Sequence, residues 1–541
     1  MVISPAMEKR AGGGPRGWAG GLAAALCGGF ALLLYLRTLA PTVLYYDLPH
    51  LRDSATLQAK AAVLGIPDYT GYPTYVMLAH LFTYLPFGDV AYRVNLASAV
   101  FGAAAVGLLC LAGTKLCGRA AAGAAGALAF GVTPVFWSQA VVAEVYTLNA
   151  LFVALVLCVL LAWRERRRDG YLLAAAFLMG LSLTHHLTSG LLLPAAALFV
   201  LLVEGRKLLE WRLLAKGAGL FVLGLTPYLY LPIRASMRYL PEGYLWGQPL
   251  IQEHPPNTLY GFYNLVSGGQ WKERMWAFGP AELPGRVQMY LEHMMGYGGQ
   301  FGVWLVAVAA GGFLYLVYRD LAAAATLGFL YAGWLLHALE YNIEDIEYYF
   351  IPTYLVLALC MAAGFGGLLD AARGLGARLP AVFAGAATAL LAALCILLPL
   401  ARLEATYGRV DMSGDYRGRE IIESVARNVE RGATVLHHRS PLDYMVLVER
   451  RRTDLRLLPY LELPGPPGYV RAVRALQRGP VYILFPGRET TPYYLGVRGS
   501  ERLYGSRGYD LVPVDREVLL YRVVPRPGAL PPGELRPEKR A

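Results

Sequence analysis

Eleven runs of mostly apolar residues recur along the chain, at 18–36, 94–113, 120–138, 146–163, 171–186, 190–203, 217–232, 301–318, 321–339, 352–369 and 380–400. A hydrocarbon core about 30 Å thick is crossed by roughly 20 such residues in a helix rising about 1.5 Å each. The pattern predicts a polytopic α-helical membrane protein of about eleven transmembrane helices. Composition excludes the soluble and disordered alternatives. Of 541 residues, 56% are hydrophobic and only 16% charged, where soluble chains carry about 25% charged residues. The net charge of +11 suits an anionic lipid surface and is too dispersed to indicate a nucleic-acid partner. Cys27, Cys110, Cys117, Cys158, Cys360 and Cys395 lie in or beside apolar runs without metal-ligand spacing, so they read as small buried hydrophobes rather than disulfide partners. The first run resembles a signal peptide in place. However, Leu36-Arg37-Thr38-Leu39 lacks the small residues of a cleavage site, which makes the run an anchor.

Orientation follows from the basic residues of alternate short loops. One side collects sixteen, from Lys9 through Arg164, Arg166, Arg167 and Arg168 to Arg378; the other collects nine, from Arg37 to Arg286, in much longer loops. The richer side is assigned to the cytoplasm, with residues 1–17 as a cytoplasmic tail. An odd number of spans then places residues 401–541 outside the membrane. Outer loops 37–93 and 233–300 are long and rich in Tyr, Trp, Pro and Gly, as expected of structured segments on the membrane surface. Within 401–524, apolar Ala433–Leu436, Leu455–Leu458 and Val481–Phe485 alternate with helix-like Arg419–Arg431, Pro441–Arg450 and Val470–Gln477. That alternation predicts a small extracytoplasmic α/β domain with a mostly parallel sheet, followed by a Pro- and Arg-rich tail, 525–541, with a disordered composition. The membrane domain spans 18–400.

The polar residues least expected near apolar spans all fall on the outer side: Asp47, Asp53, Arg93, Glu144, His185, His186, Arg234, Glu340, Glu344 and Asp345. Ionisable groups near membrane depth are costly and mark function by default, and their placement on one face predicts a single outward-facing polar cavity. Pro49 suits the first turn of a helix ending near Leu64 and Gly65. Asp47 would precede that helix, where the dipole favours a carboxylate able to take a proton from an incoming hydroxyl. Asp53, six residues on, faces another direction, so one of the two serves as base; a helix cap or a surface acid is the alternative for either. Glu144, between Trp137 and Tyr146, either snorkels in a helix hairpin or orients hydroxyl groups. His185 and His186 point about 100° apart on a helix and cannot chelate one metal together. They cap and pack, or orient a substrate. Arg93 and Arg234 present donor forks suited to a phosphate or to lipid headgroups.

The strings Leu39-Ala40-Pro41-Thr42-Val43, Leu64-Gly65-Ile66-Pro67, Gly71-Tyr72-Pro73-Thr74-Tyr75, Leu85-Pro86-Phe87-Gly88 and Ala91-Tyr92-Arg93-Val94-Asn95 occur in that order. With Phe136-Trp137-Ser138-Gln139, Glu144-Val145-Tyr146-Thr147-Leu148-Asn149, Leu183-Thr184-His185-His186 and Leu231-Pro232-Ile233-Arg234, they resemble the protein O-mannosyltransferase-like family of multispan membrane proteins. That family was formerly one of unknown function and belongs to the glycosyltransferase C superfamily. The resemblance covers about 35–270, is fainter through Tyr341–Pro352 and does not reach the C-terminal domain.

It implies transfer of mannose or another hexose from a polyprenyl-phosphate-linked sugar donor to a protein or glycan acceptor hydroxyl at the outer face. The implied mechanism is inverting, with an aspartate of the first outer loop as base. Asp47 matches the family's spacing from Ala-Pro-Thr-Val, and Asp53-Ser54 its spacing to Leu-Gly-Ile. The Glu that follows the family aspartate and the His that precedes its Pro-Pro-Gly-Tyr-Pro are missing here. Arg93 and Arg234 would hold the donor phosphate, while Glu144, His185, His186 and Asp345 would contact donor or acceptor. The donor, the acceptor and membrane lipid are the expected partners. The residues call for no cofactor and leave a divalent cation open. A transporter or flippase for a lipid-linked or anionic substrate, or an inactive membrane scaffold, is the competing reading.

Overall fold

The computed structural model describes residues 15–45, 53–67, 70–237, 256–376, 380–459, 466–490 and 495–529. Asp47, the first of the two candidate bases, lies outside them, as do the first fourteen and last twelve residues. Among the described residues nine helices are long and apolar enough to cross a membrane: Trp18–Arg37, Val90–Cys117, Tyr146–Arg166, Leu187–Leu209, Trp211–Ser236, Gly302–Arg319, Leu321–Leu339, Ile351–Gly376 and Ala381–Val410. The other two expected spans are shortened. Ala120–Gly131 stops and turns by 74° into Pro134–Ala140. Proline disfavours helical geometry in the residue before it and suits the first turn of a new helix; Thr133 is extended and Pro134 opens the next helix. Asp169–Leu183 is also short for a span, at 15 residues. By connectivity both stop on the side of the bundle that carries Asp53.

The bundle packs through small residues, which let helix backbones approach. A Cβ on Gly126 would lie 2.4 Å from the Ala358 carbonyl oxygen, and one on Gly312 only 1.8 Å from that of Cys360. Both contacts tighten other helices onto Ile351–Gly376. All six cysteines are buried free thiols.

The C-terminal part forms a five-stranded sheet from β1 (Thr434–His437), β2 (Arg456–Pro459), β3 (Val481–Leu484), β4 (Tyr509–Asp515) and β5 (Leu520–Pro525), in the order β2-β1-β3-β5-β4. The pairs β1–β2 and β1–β3 are parallel, while β3–β5 and β4–β5 are antiparallel. The expected mostly parallel sheet is thus parallel in one half only. Its last two strands form a hairpin around Arg516-Glu517, which needs no crossover helix. The sheet domain shares a core with the first loop, 37–93. Val43, Ala59 and Ala91 cluster with Ile422, Val425, Met445 and Val446. The Tyr444 hydroxyl accepts the Ala91 amide at 3.1 Å, and the Tyr45 hydroxyl donates to the Phe485 carbonyl at 3.0 Å. Arg419 reaches Asp89 at 3.2 Å and also pairs with Glu449.

Candidate active site

A cavity of about 640 Å³ opens where the connections on the Asp53 side of the bundle meet. Its walls carry Asp53 from the first loop, Glu144 from the second, His186 from the third, Arg274 from the fourth and Asp345 from the fifth, with His438 and Arg439 from the sheet domain. The placement of polar residues predicts one polar cavity on that face. The cavity draws on each of these connections, but its lining also includes much apolar surface, and of the expected residues Asp53, Glu144, His186, Glu344 and Asp345 reach it.

Asp53 precedes the helix Ser54–Val63, which ends on left-handed Leu64. Its backbone amide donates to Glu144 Oε1 at 2.9 Å, and the Ser54 hydroxyl reaches the same oxygen at 3.4 Å. Glu144 therefore satisfies donors at the start of that helix, where amides lack intrahelical partners. Its own backbone is tied to Ser98 Oγ through both amide and carbonyl, each at 3.1 Å. A buried carboxylate thus fixes the segment that presents Asp53. The Asp53 carboxylate pairs with Arg439.

His186 lines the cavity, and its Nδ1 accepts from the Thr188 amide at 3.4 Å and lies 2.7 Å from Thr188 Oγ1. The ring hydrogen is then on Nε2. Burial, with a smaller contribution from His337, holds the pKa down to about 4, so the imidazole is a neutral donor at physiological pH. Asp345 is pushed up to about 7, first by burial and then by the negative charge of Asp53. Burial likewise raises Glu344. Arg274 stacks on Trp271, 5.0 Å from the ring centroid, on a segment joined to Asn342, whose amide donates to the Arg274 carbonyl at 2.9 Å. Tyr72, Tyr146, Tyr348 and Tyr349 add an aromatic wall, whereas Leu187, Leu191, Gly333 and Leu336 make one end apolar. Three of the cavity residues, Tyr72, Trp276 and Arg439, have positive φ without being glycine, and such strain concentrates at functional sites.

Three sequence expectations are corrected. Arg93 does not line the cavity: it donates to the carbonyls of Thr83 and Leu85 and, at 3.2 Å, of Asp89. Arg234 also lies off the cavity wall, donating to the carbonyls of Leu64 at 2.7 Å and Val63 at 3.0 Å. Helix C-termini leave carbonyls unsatisfied, and a guanidinium fork fits these as readily as it fits a phosphate. His185 is fully buried, with Nε2 2.8 Å from the Val145 carbonyl and its ring stacked on Tyr75. Burial and the neighbouring His186 hold its pKa down to about 3, so it packs as a neutral ring. The groups that sequence reasoning missed are Arg274, His337, His438 and Arg439. Arg274 is one of the nine basic residues of the longer loops, where its sequence position signals loop charge and nothing more. His438-Arg439 directly follows an apolar strand of a domain read as separate, so its position carried no signal of a shared cavity. Among the described residues no group of three His, Cys, Asp or Glu side chains is arranged to hold a metal ion.

Residues 53–209 match the family model described as the protein O-mannosyl-transferase TMEM260 N-terminal domain. The mouse protein O-mannosyl-transferase TMEM260 is 36% identical over 261 residues, 47% of this chain and 35% of that protein. The Dictyostelium discoideum protein of the same name is 24% identical over 277 residues, 47% of this chain and 32% of that protein. The chain therefore spans about a third of the length of these curated relatives. ArnT from Cupriavidus metallidurans, in its crystal structure with undecaprenyl phosphate, superposes with a TM-score of 0.56 at 14% identity, over 94% of this chain and 98% of ArnT. The chain is accordingly a multi-pass integral membrane protein of the glycosyltransferase C fold, and its residues 53–209, which supply part of the cavity wall, resemble the TMEM260 N-terminal domain.

Proposed function

We propose that this protein is a membrane glycosyltransferase that moves mannose or another hexose from a polyprenyl-phosphate carrier to an acceptor hydroxyl. The observation that carries the reading is the position of Asp53 on the wall of a cavity that gathers acids and the arginines Arg274 and Arg439 beside an apolar stretch of Leu187, Leu191 and Leu336. The sugar rests against the tyrosines, and Arg274 faces the carrier phosphate. The polyprenyl tail leaves toward lipid past Leu187, Leu191 and Leu336, between the spans Leu187–Leu209 and Leu321–Leu339. Asp53 takes the proton of the acceptor hydroxyl while the acceptor oxygen attacks the anomeric carbon from the face opposite the phosphate. The carbon–phosphate-oxygen bond breaks, the electron pair leaves with the polyprenyl phosphate, and the anomeric centre inverts. His186 and Glu144 orient hydroxyls and the base segment, respectively. Asp47 remains the second candidate base on sequence spacing. The names of the curated relatives favour mannose and a protein acceptor, and the lipid in the ArnT crystal favours a polyprenyl-phosphate donor. The loop charge bias favours a cavity on the outer face, with the N-terminus in the cytoplasm.

The test uses the full chain in lipid nanodiscs with labelled polyprenyl-phosphate mannose and a membrane-protein extract as acceptor. Label should move to protein Ser or Thr, and Asp53→Asn should lower turnover by roughly 10²–10⁴-fold, the usual scale of general-base loss. Full transfer by both Asp53→Asn and Asp47→Asn would overturn the mechanism. No transfer by the wild-type chain would overturn the function.

A further inference from the structure

The sheet domain delivers a guanidinium into a membrane-domain cavity, and three features give that delivery a purpose. The first is topological. β1 lies between β2 and β3 in the parallel half of the sheet, so the strand order reverses there. In open α/β sheets ligands bind beyond the carboxyl ends of the strands at such a switch point. His438 and Arg439 follow the carboxyl end of β1 and open into the cavity. The second is conformational: Arg439 is held at φ 39°, a left-handed conformation that costs a non-glycine residue energy and that its surroundings must enforce. The third is electrostatic. The Arg439 side chain is 12% exposed and its partner Asp53 39%, so a deeply set cation is matched to a carboxylate still open to the cavity. A carboxylate held by a guanidinium is stabilised in its ionised form and is a weaker proton acceptor.

We propose that Arg439 is an exchangeable counter-ion: it holds Asp53 while the cavity is empty and turns to the donor phosphate when the carrier lipid binds, which uncovers the base only once the donor is in place. The inference rests on the transferase reading and adds order to it. Each state pairs the deeply set Arg439 with one negative group, so the guanidinium is never left unmatched; the released Asp53 carboxylate, 39% exposed, is left to the cavity and the acceptor hydroxyl. The rigid connection of the sheet domain to the first loop, through Arg419–Asp89 and Tyr444–Ala91, keeps Arg439 within reach of both partners.

The test measures binding of undecaprenyl phosphate, without sugar, to the full chain in nanodiscs by native mass spectrometry. Arg439→Gln should weaken binding by at least about tenfold, the scale of a lost charge-assisted contact. Asp53→Asn should tighten binding by roughly threefold or more, because the cation loses its competing partner. The double variant should bind no more tightly than Arg439→Gln. Arg498→Gln, on the exposed face of the sheet domain, should match wild type. If Asp53→Asn tightens binding equally with Arg439 present and absent, the gain is plain relief of repulsion and the exchange is refuted. Failure of Asp53→Asn to tighten binding refutes it without the Arg439 variant, should that variant not fold. Equal binding by all variants refutes the exchange and leaves the donor class standing. If the wild-type chain does not bind the lipid, the donor assignment fails and the exchange with it.

Discussion

Substituting Gly418 by Ala tests how tightly the sheet domain must sit on the membrane domain for the cavity to work. Gly418 lies in the helix Arg417–Asn428 against the backbone of the first loop. An added Cβ would stand 2.2 Å from the Val43 carbonyl oxygen, 2.8 Å from the Val43 carbonyl carbon and 2.9 Å from that of Leu44. All three neighbours are backbone, so no side chain can swing away. Ordinary contact begins near 3.4 Å, and relief requires the helix to retreat by roughly 1 Å. Overpacking of this kind costs about 1–3 kcal/mol. The helix also carries Arg419, and its retreat pulls on the connection that places Arg439 beside Asp53. A displacement of about 1 Å in a positioning element costs on the order of 10²-fold in rate, so sugar transfer by Gly418→Ala should fall to that extent. Hydrogen exchange supplies a readout independent of catalysis. The Ala91 amide, held by Tyr444, should lose protection in the peptide covering Asp89–Arg93. Gly414→Ala, with nothing within 4 Å of its Cβ, should behave as wild type in both assays. Wild-type turnover and unchanged Ala91 protection in Gly418→Ala would refute the reasoning.

Two further outcomes separate roles within the membrane domain. With a pKa near 7, Asp345 is mostly neutral at pH 6 and mostly anionic at pH 8; its ionisation adds negative charge to the cavity proposed to hold the donor phosphate. KM for the lipid donor should therefore rise several-fold over that interval, roughly fivefold at the effective dielectric of such a site, and Asp345→Asn should flatten the rise; an unchanged slope in the variant would exclude Asp345 as its source. Arg234→Ala should lose about 2 kcal/mol of stability, as two charge-assisted bonds to the Val63 and Leu64 carbonyls disappear, without changing donor KM. A raised KM with unaltered thermal unfolding would instead return Arg234 to a phosphate-binding role.

The lines that were legible in the sequence are those governed by local periodicity and by chain connectivity. All eleven apolar runs correspond to helical segments, nine of them long enough to span, because the length of an apolar run and the bilayer thickness constrain each other without reference to any neighbour. The break at Thr133-Pro134 and the short Asp169–Leu183 are the departures. The convergence of Asp53, Glu144, His186 and Asp345 was legible for a related reason. Alternating spans sort loops onto two faces whatever the packing, and the residues most costly to place near lipid had all been sorted onto one. Val435, Ile483 and their neighbours similarly announced strands by alternation with helical segments. The antiparallel hairpin Tyr509–Pro525 carries a weaker signal: its first strand is largely surface and holds Asp510, Pro513 and Asp515, although its second, Leu520–Pro525, is mostly buried and apolar.

Side-chain partners were a different matter. An arginine beside an apolar span has the same sequence signature whether it faces a phosphate or caps a helix end. Only the positions of the Val63, Leu64, Thr83 and Leu85 carbonyls decided that Arg234 and Arg93 do the latter. A histidine pair likewise gives no sign of which ring meets the cavity; the turn after Leu183 sends His186 to the wall and His185 into the core. The pairing of Asp53 with Arg439 spans 386 positions of chain, and no local pattern encodes a contact between two segments so far apart. It depends on Gly418 admitting a helix against Val43 and on β1 ending where the strand order reverses. The sequence by itself therefore determined that a membrane bundle would gather its polar residues on one face. Tertiary packing decided which of them meet, because a charge–charge contact depends on the distance between atoms and not on their order along the chain.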